Sequence, residues 1–240
     1  MHKIPSAFIC VLFIASLLTF SGCVNREEVG DLQNVQKTVP LGDAKSVDAI
    51  IAMGIGKLSI SGGSSNLMDG EFIYNVPSWK PEISYSVASG VGNLTVRQPS
   101  NQSVPEGSTR YEWNLRLNQN VPMNLWVSGG TGDTRLQLGG MSLTGLNIDS
   151  GTGNLVVDLS GDWKKSLNVN IKSGIGKLDI TLPRDVGALV EVSNAIGTIQ
   201  YDSGLMQNGN TYFNSAYGKA NVTLSIQTET GLGTTNIRLA

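Results

Sequence analysis

The chain has almost none of the residues that most enzymes of its size rely on. It holds one histidine, His2, and two cysteines, Cys10 and Cys23, all near the N-terminus. Removal of residues 1–22 as a signal would leave no imidazole, with Cys23 as the sole thiol. That excludes Ser-His-Asp and Cys-His nucleophile pairs, histidine or cysteine zinc sites and structural disulfides from the mature chain. No catalytic residue, metal site or cofactor is therefore expected. Charge is scarce too: 15% of residues are charged and the net charge is −2. Nucleic acid as a partner is set aside, since it calls for a basic footprint. Helical periodicity is missing from the body, with EEVGDLQNVQK (27–37) as the one candidate exception.

Long apolar runs are also rare. The only one, IPSAFICVLFIASLLTF, follows the weakly basic start MHK and closes with SGC. The stretch LTFSGC resembles the lipobox of bacterial lipoproteins, with Phe20 less usual at its place. The expectation is a signal peptide over 1–22, lipid attachment at Cys23 and a tether over 23–45. The alternative is an uncleaved single-pass anchor, because about 17 apolar residues is the lower edge of a spanning helix. On the lipoprotein reading the body lies outside the cytoplasmic membrane. It is lipid-anchored to the cell membrane or outer membrane, and acylated Cys23 makes the membrane itself a partner.

Glycine is plentiful instead, at 29 of 240 residues, well above the usual ~7%. The glycines recur in phrase: MGIGKLSIS from Met53, SGVGNLTVR from Ser89, GGTGDTRLQ from Gly129, SGTGNLVVD from Ser150. SGIGKLDIT from Ser173, NAIGTIQYD from Asn194 and TGLGTTNIR from Thr230 continue the series, with SAYGKANVTLS from Ser215 as a worn copy. Period-two alternation follows each copy, the mark of a strand with one buried face. In NLVVDLS, Leu155, Val157 and Leu159 point one way. In KLDITLP, Leu178, Ile180 and Leu182 do the same. SLNVNIKS, ahead of a glycine step, puts Leu167, Val169 and Ile171 on one face.

The unit is strand, glycine corner, strand, turn, and about 22 residues long. It is too small to close a core alone, so it needs neighbours above and below. The predicted fold is all-β: a parallel β-helix-like solenoid of stacked short strands with Gly-x-Gly corners, with a β-sandwich as runner-up. One domain is expected over 46–240, aromatic-rich over 46–118 and regularly repeating over 119–240. A phosphate-binding loop would need a helix after the glycines, and here strands follow. A calcium roll would need a repeated aspartate. Only Asp133 comes near, and Lys57 and Lys177 hold equivalent positions.

Three stretches, MGIGKLSISGG, EFIYNVPSWKPEISYSVASGVGNLTVRQPS and YEWNLRLNQNVPMNLWVSGGTGDTRLQLGG, together resemble the toast-rack domain family. The later SGTGNLVVDLSGDW, SGIGKLDITLPRDVGALVEV and NSAYGKANVTLSIQTETGLGTTNIRL extend the likeness over about 46–240. The family is related to the C-terminal domain of LiaF-like cell-wall-active antibiotic response proteins. The resemblance implies a β-solenoid and, for LiaF-like relatives, a role in envelope stress sensing exerted on a membrane histidine kinase. Those relatives carry several transmembrane helices ahead of the domain, which this chain does not. The resemblance implies no catalytic residues.

Phe72, Tyr74, Trp79, Tyr85, Tyr111, Trp113 and Trp126 crowd the N-terminal third. Tyr74, Trp79, Tyr111 and Trp113 are candidates to contact a cell-wall glycan or envelope partner; the alternative is a cap on the solenoid's open end. Trp163 reads as a surface plug between rungs. Asp149, Asp158 and Asp179 read as outward solubility charges, and the last strand, ending at Ala240, as an exposed edge. Three functions follow: a non-enzymatic, adhesin-like binding or scaffold module, a LiaF-like stress regulator, or a carboxylate-dependent glycan hydrolase.

Overall fold

The computed structural model describes residues 26–100 and 104–240. Strands β1 (Arg26–Glu28) and β2 (Gln33–Val39) precede β3 (Ser46–Ile55) and β4 (Lys57–Ser64). Then come β5 (Met68–Tyr74), a 3₁₀ turn at Pro77–Trp79, β6 (Glu82–Ala88), β7 (Val91–Arg97), β8 (Val104–Glu106) and β9 (Tyr111–Asn118). Next are β10 (Met123–Thr131), β11 (Thr134–Gln137), β12 (Leu143–Asp158), β13 (Leu167–Leu182) and β14 (Gly187–Tyr201). The chain closes with β15 (Met206–Asn208), β16 (Thr211–Phe213) and β17 (Thr223–Leu239).

The strands stack as bent rungs, each with one arm on a first face and one on a second. From one end the rungs run β7 with β9, β3 with β4, β10 with β11, then β12, β13, β17 and β14, all parallel. This is the predicted solenoid. The core is a set of ladders one residue deep per rung. Leu94, Ala49, Leu125, Leu146, Val169, Ile226 and Val190 line up across the first face, all buried. Across the second, Leu115, Ile60, Leu136, Val157, Ile180 and Ile237 do likewise. The residues read as inward-facing in NLVVDLS, KLDITLP and SLNVNIKS are all buried, as period two requires.

The corners explain the glycines. A Cβ on Gly132, Gly153, Gly176, Gly233 or Gly197 would stand 1.7–2.0 Å from the carbonyl oxygen of the equivalent glycine one rung away. No side chain fits, because parallel strands keep the backbones about 4.8 Å apart. Gly153 and Gly176 also lie at φ +136° and +143°, a region other residues rarely adopt.

Two copies of the phrase are not corners. SGVG is the turn from β6 into β7, with Ser89 at φ +53° and Gly90 at +80°. SAYGK is a turn ahead of β17. The rung built from β7 and β9 therefore crosses between faces without a glycine step, which accounts for the long early spacing.

Chain order and stacking order differ at both ends. The first rung of the chain, β3 with β4, lies second in the stack, and the last, β17, lies between β13 and β14. The expectation of an exposed edge at the C-terminal strand is corrected accordingly: β17 is paired along both sides. The expected tether is also corrected in part. Residues 33–39 form β2, antiparallel to β5, rather than a free or helical linker. Their side chains bond across the pair, Asn34 to Glu71 at 2.9 Å and Thr38 to Asp69 at 3.0 Å.

Candidate functional site

The four aromatic candidates do not form a surface. Tyr74, Trp79, Tyr111 and Trp113 are buried, Trp113 completely. With Phe72 they make an edge-to-face cluster, ring centroids 5.4–6.5 Å apart. Burial raises the Tyr74 and Tyr111 hydroxyl pKa values. Glycan contact through these four residues is corrected to core packing, because no sugar ring reaches a ring face inside the stack. The Trp79 and Trp113 indole N–H groups and the Tyr111 hydroxyl have no hydrogen-bond partner among the described residues. The cluster is thus held chiefly by ring packing, with the Trp113 indole N–H close enough to the Tyr111 hydroxyl to temper the rise in its pKa. Trp163 is buried as well, its N–H donating to the Leu159 carbonyl at 2.8 Å. Cys23 lies outside the described residues.

Beyond the aromatic cluster, the strands β2, β5 and β9 carry a carboxylate network. Asp69 accepts from Ser64 at 2.7 Å and Asn66 at 3.1 Å, and Ser64 leads the hydrogen bonds that lower its pKa. Asn34 and Asn114 do the same for Glu71, and Arg110 for Glu112. The Glu71 bonds tie neighbouring strands together, while those from Ser64 and Asn66 to Asp69 and from Arg110 to Glu112 are local, from the β4–β5 connection and from two residues upstream.

What the molecule does expose is its two outer faces. On the first face Trp126 is 38% exposed and lies beside Ile50, 47% exposed, on the neighbouring rung. The ladder continues through Asn147, Asn170 and Gln227. Asn170 donates to Asn147 at 2.9 Å, and Asn124 to Asp48 at 3.3 Å. The result is an indole on a flat field of amides. Trp126 was legible in NLWVS: Leu125 and Val127 point in, so the residue between them points out.

Beside the corners, on the same face, an open groove of about 630 Å³ crosses several rungs. Ser150, Gly151, Ser173 and Gly174 form part of its floor, with Asp149, Lys172 and Glu229 along it. Asp149 and Glu229 sit on rungs either side of Lys172, roughly 10 Å apart at the backbone. The hydrolase reading asked for two carboxylates in one groove, and this pair meets the spacing alone. Both are exposed, and Glu229 is bonded to Lys172 at 3.3 Å. A general acid requires a desolvated carboxyl, which neither is.

On the second face Asp179 is more than a solubility charge. Asn236 donates to it at 2.7 Å, and Lys177 and Arg238 stand at 2.8 and 3.8 Å. Burial pushes its pKa up, but those bonds and charges outweigh it and the net shift is downward. Among the described residues no cluster of histidine, cysteine or carboxylates suits a metal ion, and no helix is long and apolar enough to cross a membrane.

Residues 28–181 match the family described as the N-terminal domain of toast_rack (DUF2154). Residues 130–237 match the C-terminal domain of the cell wall-active antibiotics response protein LiaF. A solved structure of a proposed cell adhesion protein from Clostridium sporogenes is 32% identical, covering 88% of this chain and 100% of that one at a TM-score of 0.80. A proposed adhesin from Bacteroides fragilis is 11% identical over 88% of this chain and 99% of its own, at a TM-score of 0.35 that carries no argument. No curated protein matches. The fold and the first two matches define the class as a toast-rack β-solenoid. The chain belongs to the toast-rack family, related to LiaF-like proteins.

Proposed function

We propose that this chain is a non-enzymatic envelope module, tethered to a membrane through lipid on Cys23, that binds a cell-wall glycan with its first outer face. The observation that carries the reading is Trp126, an exposed indole set in a flat ladder of asparagine and glutamine amides. A ring face suits the apolar side of a sugar, and rigid amides suit its hydroxyls. The adhesion description of the 32% identical relative supports a binding role. Co-sedimentation of the full chain with isolated cell-wall sacculi tests it. Binding lost in Trp126→Ala, with melting unchanged, is the expected result; equal sedimentation of the variant, or none by either protein, counts against it.

The match to the LiaF C-terminal domain over 130–237 favours a second reading, regulation of envelope stress signalling. Deleting the gene then changes a cell-wall stress reporter. An unaltered basal and induced signal removes that reading.

A further inference from the structure

We infer that the first outer face takes one class of glycan in one direction: a neutral, β-1,4-linked chain lying along the stack, one sugar to each rung from Trp126 to Gln227. The inference rests on the glycan-binding reading above and deepens it.

The direction follows from spacing. Trp126, Asn147, Asn170 and Gln227 hold the same register position on four successive rungs, β10, β12, β13 and β17. Parallel pairing sets neighbours in this ladder about 4.8 Å apart. Outward residues along a single strand, such as Trp126 and Ser128, stand about 7 Å apart. Each sugar of a β-1,4-linked pyranose chain lengthens it by nearly the rung step, well short of the step along a strand. A chain crossing the rungs therefore meets an equivalent side chain at every sugar. A chain following one strand falls out of step within a few sugars. The ladder is bounded by Ile50 before Trp126 and by Glu191 after Gln227, so four sugars fill it.

The free polar groups suit sugars. Within the ladder, Asn170 donates through Nδ2 to Asn147 Oδ1 at 2.9 Å. That bond leaves the Asn147 amino group, the Asn170 carbonyl oxygen and both ends of the Gln227 amide without a protein partner among the described residues. Asn170 and Gln227 are exposed and Asn147 is half-buried. Sugar hydroxyls both donate and accept, and a row of amides offers both functions.

Charge selects a neutral chain. On the first-face arms of these rungs and of the neighbouring β3 and β14, Asp48, Asp149, Glu191 and Glu229 stand against Lys172 alone. Lys172 is itself bonded to Glu229 at 3.3 Å. An uncharged ladder in an acidic surround repels a polyanionic polymer and admits a neutral one.

Isothermal titration calorimetry of the full chain with β-1,4-linked N-acetylglucosamine oligomers of increasing length tests this. Binding should tighten about threefold or more with each sugar up to four, then level off. Gln227→Ala, three rungs from Trp126, should weaken the tetrasaccharide about threefold or more and leave the disaccharide unchanged. Ser128→Ala, next to Trp126 along the same strand, should change neither; melting checks that both variants fold. A β-1,4-linked mannuronate tetrasaccharide should bind about tenfold more weakly or worse. Affinity that stops rising at two sugars overturns the inference. So does a loss in Ser128→Ala without one in Gln227→Ala, or equal binding of the mannuronate. Trp126-dependent binding to sacculi with no binding of any oligomer also overturns it and leaves the broader glycan reading standing. Failure of oligomers and sacculi alike removes that reading and the inference with it.

Discussion

At one end of the stack the last rung is sealed along both arms, and at the other it is covered only in part. Phe72, Tyr74, Trp79, Tyr111 and Trp113 fill the first end. β2 and β5 extend its second face and β6 its first, all antiparallel. Even its glycine corner is closed: the Gln98 side-chain oxygen accepts from the Gly54 and Ile55 N–H groups at 2.7 and 3.0 Å. The opposite end has the hairpin of β15 and β16, which pairs with three residues of β14 before the corner and meets Tyr201 beyond it through Gln207 and Tyr212. The same repeat leads to both ends, so the difference lies in what was added. Terminal repeats of a solenoid need a cap. One end carries a full cap of antiparallel strands, and the other a single short hairpin.

Removing the aromatic cap is the most damaging way to break the comparison. Trp113→Ala should cost about 3–5 kcal/mol and lower the melting temperature by roughly 10 °C or more. Trp126→Ala, on the outer face, should leave it nearly unchanged. Gly176→Ala should cost about 3 kcal/mol, since its Cβ would collide with the Gly153 carbonyl at a positive φ. Gly209→Ala, in a hairpin turn at φ +58° with open space around it, should cost about 1 kcal/mol. Equal losses at the two glycines would mean that the corners do not need close approach.

Acid should act on the sealed end first. Asp69, Glu71 and Glu112 have pKa values held below their ordinary 3.8 and 4.5 there. Depressed carboxylates stabilise the fold fully above those ordinary values, and the contribution fades as pH falls through the folded-state values. Tryptophan fluorescence of a Trp126→Phe, Trp163→Phe background, which leaves Trp79 and Trp113 as the reporters, should therefore change below about pH 4 before far-ultraviolet dichroism does. A single joint transition would contradict this order. The smallest expected effect is Tyr111→Phe, which removes a buried hydroxyl without a partner. It should be neutral or stabilising by up to about 1 kcal/mol in chemical denaturation; a clear loss would mean that the hydroxyl is bonded.

Much of this fold was legible because it is local. Alternation in KLDITLP and SLNVNIKS fixed which residues are buried, and the repeated glycine step marked six corners. What escaped depends on pairing between distant segments. SGVG and SGTG look alike, but only the second is stacked on another glycine corner; the first sits where β6 turns back into β7. Nothing local indicates that β17 slips between β13 and β14, since that order is set by which rung finds a complete neighbour. The aromatics misled as a surface because Tyr111 and Trp113 sit at the inward parity of the end rung, while Tyr74 on β5 and Trp79 in the 3₁₀ turn pack onto them. Only the stack reveals that the parity has a roof of β2, β5 and β6. Trp126 was readable from its neighbours.

Hydrogen exchange resolved to single amides tests the contrast between the ends most directly. The Gly54 and Ile55 amides, bonded by Gln98, should be strongly protected, while the outward amides between Ser193 and Tyr201 exchange almost as fast as in an unfolded peptide. Slow exchange at both corners would show that the chain itself seals each end, and the account of an unpaired edge beyond Val192 would be wrong.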